Sequence, residues 1–385
     1  MAQLDSPAFP AQSRSLADRI PFRHVDLALV GSAVALAVYG ILMVYSATHR
    51  GQAIRSLDPA FFVKRQAVFV MLGAIAMVTM AILDYRHLRI WAPFIYAFFL
   101  LLLVAVQLPH VGHAALGAQR SFSLAGFQLS PSLFMRIVLI LMLAAYLSNI
   151  HGSPSLLQVS RAVVLAAIPI VLVFIQPDLG TSIIMATILV AELVIAGARA
   201  RHLVILALIA VVGIVGALQL HVIKDFQVQR LKVFLDPSND QLTAAYNLHQ
   251  SEIAIGSGGI SGRGYLKGTQ TNLAFVPEQQ TDFIFTVVGE EFGFVGAVVL
   301  LMLFLLVLWR AYRIALTSRD PFGTYVAIGV AAMFAIQIFV NVGMTIGIMP
   351  ITGIPLPFIS YGGSALIADF IGIGLLLSIH MRRQV

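Results

Sequence analysis

Long apolar runs alternate along the chain with short polar breaks rich in glycine or proline. A run of about 17–25 apolar residues matches the hydrocarbon thickness of a bilayer, and about ten such runs can be counted. They are Val25 to Ser46, Phe61 to Leu83, Ile90 to Leu108, Pro131 to Leu147, Ala162 to Ile175, Thr181 to Ala196, His202 to Leu220, Phe283 to Trp309, Gly323 to Ile346 and Phe358 to His380. The fifth and sixth are short and divided only by Gln176, Pro177, Asp178, Leu179 and Gly180, so they form a tight helical hairpin or a partly re-entrant pair. The pattern predicts an all-α integral membrane protein of about ten transmembrane helices. It divides into a polar N-terminal segment over residues 1–24 and one polytopic domain over residues 25–385, with a large loop at about residues 221–282 between the seventh and eighth spans. No cleavable signal precedes the first span, and no internal repeat of the transporter kind is visible.

Composition supports this reading and removes several function classes. With 59% hydrophobic and 11% charged residues over 385 positions, the chain is too apolar for a soluble domain. Its net charge of +7 does not point to nucleic acid, because the basic residues sit in short clusters between spans, as topology signals do. The absence of cysteine excludes disulfides, thiolate catalysis and Cys-ligated metals. Arg14, Arg19, Arg23, Arg86, Arg89, Arg161, Arg199, Arg201, Arg310, Arg313, Arg319, Arg382 and Arg383 fall on one side of the predicted membrane, whereas the short loops of the other side carry Arg50, Arg55, Lys64, Arg65 and Arg120. By the positive-inside rule both termini are cytoplasmic, and the large loop and the loop near Gly347 to Pro357 lie outside.

Candidate chemistry concentrates on that outer side. The stretch from Asn247 to Gly296 is dense in glycine (Gly256, Gly258, Gly259, Gly262, Gly264 and Gly268) and is expected to be an ordered loop approaching a ligand or another backbone. Asp282 ends the loop, at the mouth of the eighth span. There it is either an N-cap for the helix or a general base on a hydroxyl. Glu290 and Glu291 follow two turns deeper, and at least one is expected to pair with a buried arginine or polar helix; Glu192 is expected to pair with Arg199 or snorkel. Asp178 sits in the helix-breaking QPDLGT, as a turn residue or as a polar element beside Asp282. GIMPITGIPLPFISYGG (Gly347 to Gly363) forbids helix and specifies irregular backbone, either a cavity wall or a re-entrant turn, with Asn341 and Gln337 as nearby amides. The cations Arg50, Lys64, Arg65, Arg120 and Arg136, if gathered near a carboxylate, suit a diphosphate.

These motifs together resemble the SEDS family (shape, elongation, division and sporulation proteins). QSEIAIGSGGISGRGYLKGTQ, PEQQTDFIF followed by EEFGFVG, QPDLGT, NVGMTIGIMPITGIPLPFISYGG, and the early YSA and FFVKRQ carry the likeness, which spans Val25 to His380. SYGGSALI and the compact length resemble the elongation branch more than the division branch. The resemblance implies a peptidoglycan glycosyltransferase of the bacterial cytoplasmic membrane. It would polymerise lipid II, the undecaprenyl-diphosphate-linked disaccharide-pentapeptide, into β-1,4 glycan beside a class B penicillin-binding protein and other elongation-complex proteins. The family's essential aspartate falls on Asp282. Arg65, Arg120, Arg136, Asp178, Lys267, Asn341 and Ser360 are then candidates for binding substrate or its diphosphate, and an Mg²⁺ or Mn²⁺ ion on Asp282 or Asp178 is compatible, though no ligand spacing demands one. Three departures stand out: Gln280 where the family has His, Leu133 and Arg136 where it has Glu and Lys, and Ser121, followed by Phe122, where it has an aromatic residue. A lipid II flippase and a noncatalytic scaffold for a transpeptidase remain as rival readings. Polymerisation is favoured because the polar motifs gather on one face rather than at the midplane.

Overall fold

The computed structural model describes residues 25–54, 56–108, 113–115, 118–124, 127–219, 225–235, 244–273 and 275–383; the polar N-terminal segment lies outside them. Helices α1 (Leu27–Ile54), α2 (Phe61–Ile82) and α3 (Tyr85–Ala105) lead into an antiparallel meander of β1 (His113–Ala115), β2 (Ala118–Leu124) and β3 (Phe127–Leu129). Four helices follow: α4 (Pro131–Leu147), α5 (Leu156–Ile175), α6 (Leu179–Ile195) and α7 (Ala200–Gln219). The long connection holds α8 (Asp225–Leu235), α9 (Ala244–Gly258) and the one-turn α10 (Thr269–Asn272), and it leads to α11 (Ile284–Thr317), α12 (Pro321–Thr345) and α13 (Gly363–Met381).

Among the described residues seven helices (α1, α2, α3, α5, α11, α12 and α13) are long and apolar enough to cross a membrane, and α4, α6 and the Ala200–Gly213 part of α7 are shorter apolar stretches. Seventeen residues, the length of α4 and of α6, rise only about 25 Å against a hydrocarbon core of about 30 Å. Both helices begin at the polar cavity described below, which draws the wet boundary inward. The fifth helix starts earlier than its apolar run. Ser155 accepts from Gln158 N while the Gln158 side chain accepts from Ser155 N, and this capping box nucleates the helix at Leu156. Helices α5 and α6 pack on each other as the tight hairpin. The last helix begins at Gly363, not Phe358, because Phe358 and Ile359 belong to the irregular segment and press against α1; a Cβ on Gly40 would stand 2.4 Å from Phe358 O.

Buried α13 lies against α2, and α12 lies against α4, α6 and α11. Close approach rests on small residues: a Cβ on Gly374 would stand 2.6 Å from Met77 O, the small-residue contact expected where lipid supplies no hydrophobic drive. The all-α membrane fold is as expected, with two features that the apolar runs did not show. The meander between α3 and α4 was invisible to a count of apolar runs, and it is tied to α13 by Ser364 Oγ donating to Gln128 O (2.9 Å). The large loop is mostly helical and docked, with α9 packed on α11.

The glycine-rich stretch serves this docking. Helix α11 is broken at Gly293 (φ 63, ψ −157), and the turn after α9 supplies partners for the interrupted backbone. Arg263 N and Gly264 N donate to Glu290 O and Glu291 O (both 3.0 Å), and Phe294 N donates to Gly259 O (2.9 Å). A Cβ on Gly258 or Gly262 would stand 2.0 or 2.1 Å from a carbonyl oxygen of α11. These glycines therefore admit another backbone, not a ligand.

Candidate active site

Asp178, Asp282 and the proline-rich segment meet in one cavity of about 230 Å³, at the end of the bundle where α4, α6, α11 and α13 begin and α12 ends. Its wall includes Ser132, Leu133 and Arg136 from α4, Thr181 from α6, Gly353, Ile354 and Pro355 from the irregular segment, and Tyr361.

Asp282 is held by its own backbone and its neighbours'. Three successive carbonyls are each bound by a donor from a later part of the chain: Tyr361 N donates to Gln280 O (2.8 Å), Ser360 Oγ to Thr281 O (2.6 Å) and Asn341 Nδ2 to Asp282 O (2.8 Å). The same Asn341 amide donates to Ile354 O (2.7 Å), and Leu356 N donates to Ser360 Oγ (2.8 Å), so the irregular segment and the strand of chain before α11 form one unit. The N-cap position of α11 is Phe283, with no side-chain cap, so the carboxylate two residues before the helix does not occupy the capping position. Asn341 and Ser360 thus act on the backbone that carries Asp282, not on the cavity itself. Gln337 turns back to Met333 O of its own helix (3.1 Å).

Two arginines belong to this site, one on the cavity wall and one beside the carboxylate. Arg136 is 0% exposed; its Nε donates to Leu133 O (3.0 Å), and Nη2 lies 3.8 Å from Asp369 Oδ1. Among the described residues, neither Nη1 nor Nη2 finds a hydrogen-bond acceptor. A buried guanidinium with open donors on a cavity wall is a ready partner for an anionic oxygen. The second arginine is Arg230, on α8 within the long connection. It converges with Asp282 on Gly353, whose φ is +75: a Cβ there would stand 3.2 Å from Asp282 Oδ2 and 3.7 Å from Arg230 Nη1.

The other candidates are distributed unevenly. Asp178 lines the cavity but also caps α6, accepting from Thr181 N (3.1 Å) and Thr181 Oγ1 (2.8 Å), so the turn and cavity readings both apply. Arg65 reaches the wall indirectly, through a hydrogen bond to Tyr361; burial raises the Tyr361 hydroxyl pKa, and the Arg65 charge and hydrogen bond pull it partly back. Lys267 is exposed in the turn beside Gly264 and does not line the cavity. The Arg120 side chain lies outside the described residues, although its backbone is in β2.

Of the two partners expected for Glu290 and Glu291, the polar helix is found and the buried arginine is not, among the described residues. Glu290 takes no arginine: it accepts from Gln270 N (2.8 Å), Thr271 N (2.9 Å) and Thr271 Oγ1 (2.7 Å), gripping the start of α10, because free amides at a helix start are nearer than any cation. Ser46 Oγ donates to Glu291. Glu192 is 0% exposed with neither oxygen hydrogen-bonded, and it is not paired with Arg199; it points into the core, where a Cβ on Gly329 would stand 2.7 Å from Oε1. Asp369 was missed altogether, although a lone acid in the apolar run ALIADFIGIG is itself a signal.

The departures from the family pattern resolve in part. Leu133 supplies apolar wall where an acid was expected, and the acid facing Arg136 comes from α13 instead. Gln280 Nε2 donates to Glu278 Oε2 (3.3 Å) rather than towards Asp282. Ser121 is buried and Phe122 half-buried in β2.

Comparison with known proteins places nearly the whole chain among relatives of one family. Residues 27–385 match the family of cell cycle proteins FtsW, RodA and SpoVE. The peptidoglycan glycosyltransferase MrdB of Escherichia coli K12 is 40% identical over 362 residues, covering 94% of this chain and 95% of that one. A solved structure described as structural coordination of polymerization and crosslinking by a peptidoglycan synthase complex superposes with a TM-score of 0.77 at 30% identity, covering 93% of this chain and 98% of its own. The rod-shape-determining protein RodA of Thermus thermophilus superposes with a TM-score of 0.68 at 29% identity, covering 94% and 99%. With the family pattern matched over nearly its whole length and the same fold in solved relatives, this multi-pass membrane chain belongs to the FtsW/RodA/SpoVE family, the SEDS proteins.

Proposed function

We infer that the chain is a peptidoglycan glycosyltransferase that polymerises lipid II into β-1,4 glycan, with Asp282 as general base. The supporting observation is that Asp282 and the buried guanidinium of Arg136 line one small cavity. Asp282 takes the proton from the 4-hydroxyl of the acceptor's GlcNAc, and that oxygen attacks the anomeric carbon of the donor MurNAc. The bond to the lipid diphosphate breaks with inversion, and the electron pair leaves on the diphosphate oxygen. Arg136, with open donors, offers the leaving oxygens a fixed positive charge in a site shielded from water, where such stabilisation counts most. Arg65 can contribute through Tyr361, and Arg230 beside Asp282 orients the carboxylate. At about 230 Å³ the cavity is smaller than pockets that enclose a whole drug-sized ligand, about 300–1,000 Å³. It suits the reacting groups, with glycan and prenyl chain extending outside it.

An Mg²⁺ or Mn²⁺ ion does not fit a protein-built site here. Both Asp178 oxygens are engaged by Thr181, the Arg136 guanidinium lines the cavity, and no cluster of three or more His, Asp or Glu converges among the described residues. No step is assigned to a metal. The cavity is placed on the outer face of the bacterial cytoplasmic membrane with both termini inside, in keeping with the arginine distribution. A class B penicillin-binding protein and other elongation-complex proteins are the proposed partners, by analogy with the peptidoglycan synthase complex of the same fold.

The test is purified protein, alone and with its transpeptidase partner, incubated with labelled lipid II. Asp282→Asn is expected to lower glycan synthesis by about 10²–10⁴-fold, the range for a lost general base. Equal glycan from wild type and variant would remove the assignment, and flipping in proteoliposomes without polymer would favour transport.

A further inference from the structure

A second, larger cavity of about 800 Å³ opens at the opposite end of the bundle, where α3 and α12 begin and α4 ends. It takes no part in the chemistry above. Arg86, Arg89 and Arg319 line it, with Asp320 as the one acidic residue, a surplus of two positive charges. Asp320 is already engaged by the Tyr85 hydroxyl, and Arg89 donates to Asn149 Oδ1. None of the three arginines forms a salt bridge among the described residues.

The lining changes character with depth. Along α3 it passes from Arg86 and Arg89 to Ile90 and Pro93, and Pro93 lies about 10 Å further along the helix axis than Arg86. Across the cavity, Asn149 and Tyr146 give way to Met142 of α4 in the same direction. Next to the cavity the surface is apolar and open: Ile90 is 69% exposed, Trp91 60% and Phe94 67%. Positive charge at the end of the bundle, an apolar wall below it and a side door onto hydrocarbon match an amphiphile with an anionic head and an acyl tail.

We propose that this cavity binds an anionic membrane phospholipid, its phosphate between Arg86, Arg89 and Arg319 and one acyl chain along Ile90, Pro93 and Met142. Guanidinium forks hold phosphate oxygens in pairs, and basic pockets between transmembrane helices are known sites for anionic headgroups. A topology signal alone would explain arginines at this end but not their gathering around one amphiphilic cavity. A free phosphate would satisfy the arginines but leave the apolar wall without a partner. The inference does not depend on the role of Asp282.

The experiment uses the full chain in neutral detergent. Retained lipid is read by native mass spectrometry, and thermal stabilisation is measured on adding phosphatidylglycerol, phosphatidylcholine or inorganic phosphate. Wild type is expected to retain and be stabilised by phosphatidylglycerol in preference to phosphatidylcholine, with little response to inorganic phosphate. Arg319→Gln is expected to weaken phosphatidylglycerol binding about fivefold, and the Arg86→Gln, Arg89→Gln, Arg319→Gln triple variant on the order of a hundredfold, from the usual contribution of each basic residue to anionic lipid. Arg319→Lys should recover part of the loss, and Arg199→Gln, outside the cavity, should bind as wild type. Wild-type binding by Arg319→Gln overturns the proposal even if the triple variant does not fold. Equal binding of the two lipids, or an equal response to inorganic phosphate, overturns it as well.

Discussion

Ser360→Ala tests whether the backbone clamp sets the position of Asp282. Ser360 Oγ donates to Thr281 O at 2.6 Å and accepts from Leu356 N at 2.8 Å, and the residue is 5% exposed. Truncation leaves one buried carbonyl and one buried amide without partners, about 1–3 kcal/mol each, or about 2–6 kcal/mol together before relaxation. Freed on one side, the Thr281–Asp282 backbone can shift, and a displacement of about 1 Å at a reacting group lowers the rate by about 10²-fold. Purified Ser360→Ala is therefore expected to lose about 10–100-fold in kcat on lipid II, with KM changed less, because substrate contacts are intact. Ser378→Ala is the control. Ser378 Oγ donates to Leu83 O (2.6 Å) and accepts from Tyr85 N (3.3 Å) at the far end of the bundle, so its loss should lower the melting temperature without affecting kcat. In an Asp282→Asn background, Ser360→Ala should destabilise as before and change residual turnover little. If Ser360→Ala melts early yet turns over within about twofold of wild type, where position decides rate, the clamp does not set Asp282 and its catalytic importance is refuted.

Four further outcomes follow from packing and charge. Asp369→Leu leaves Arg136 buried without its acid and should destabilise by about 3–5 kcal/mol, whereas Arg136→Met with Asp369→Leu should regain most of that stability and still lack glycan synthesis; thermal unfolding and the lipid II assay separate the two. Gly262→Ala must place a Cβ 2.1 Å from Glu291 O at φ +78, so a loss of more than about 4 kcal/mol or failure to express is expected. Gly256→Ala, inside α9 with nothing within 4 Å, should stabilise by about 0.5–1 kcal/mol, and chemical denaturation in detergent reads both. Hydrogen bonds from Lys64 and then from Ala60 N hold the Asp58 carboxyl below its ordinary range. That contribution is present above the ordinary carboxylate pKa and fades as pH falls through the lowered value. Because Asp58 is exposed, the melting temperature of Lys64→Met at neutral pH should match wild type, and a difference that appears only on acidification would contradict this account.

Several parts of the molecule were legible because they are local. The apolar runs located the long helices, though several ends lie five to eight residues from the predicted ones, since burying a backbone in lipid demands about 20 consecutive apolar positions and a helix to satisfy them. Asp282, Asp178 and the proline-rich segment stood out because a charge or a broken backbone at membrane depth needs a special environment. The short strands β1 to β3 and the helices α8 and α9 escaped because their residues are neither long apolar runs nor strongly periodic.

The sequence by itself determined a membrane bundle, the family, and a carboxylate standing where its last large connection re-enters the bundle. Only the tertiary structure decided which groups face that carboxylate. Asp369 meets Arg136 from another helix, Arg230 reaches Gly353 from within the long connection, and Tyr361, Ser360 and Asn341 bind the carbonyls of Gln280, Thr281 and Asp282. It also decided that Gly258 and Gly262 serve helix docking and that Glu290 grips a helix start. The physical reason is range: hydrophobic length acts between neighbours along the chain, whereas partner choice for a buried charge or carbonyl depends on which distant segments the packing of α2, α4, α11, α12 and α13 brings within hydrogen-bond distance.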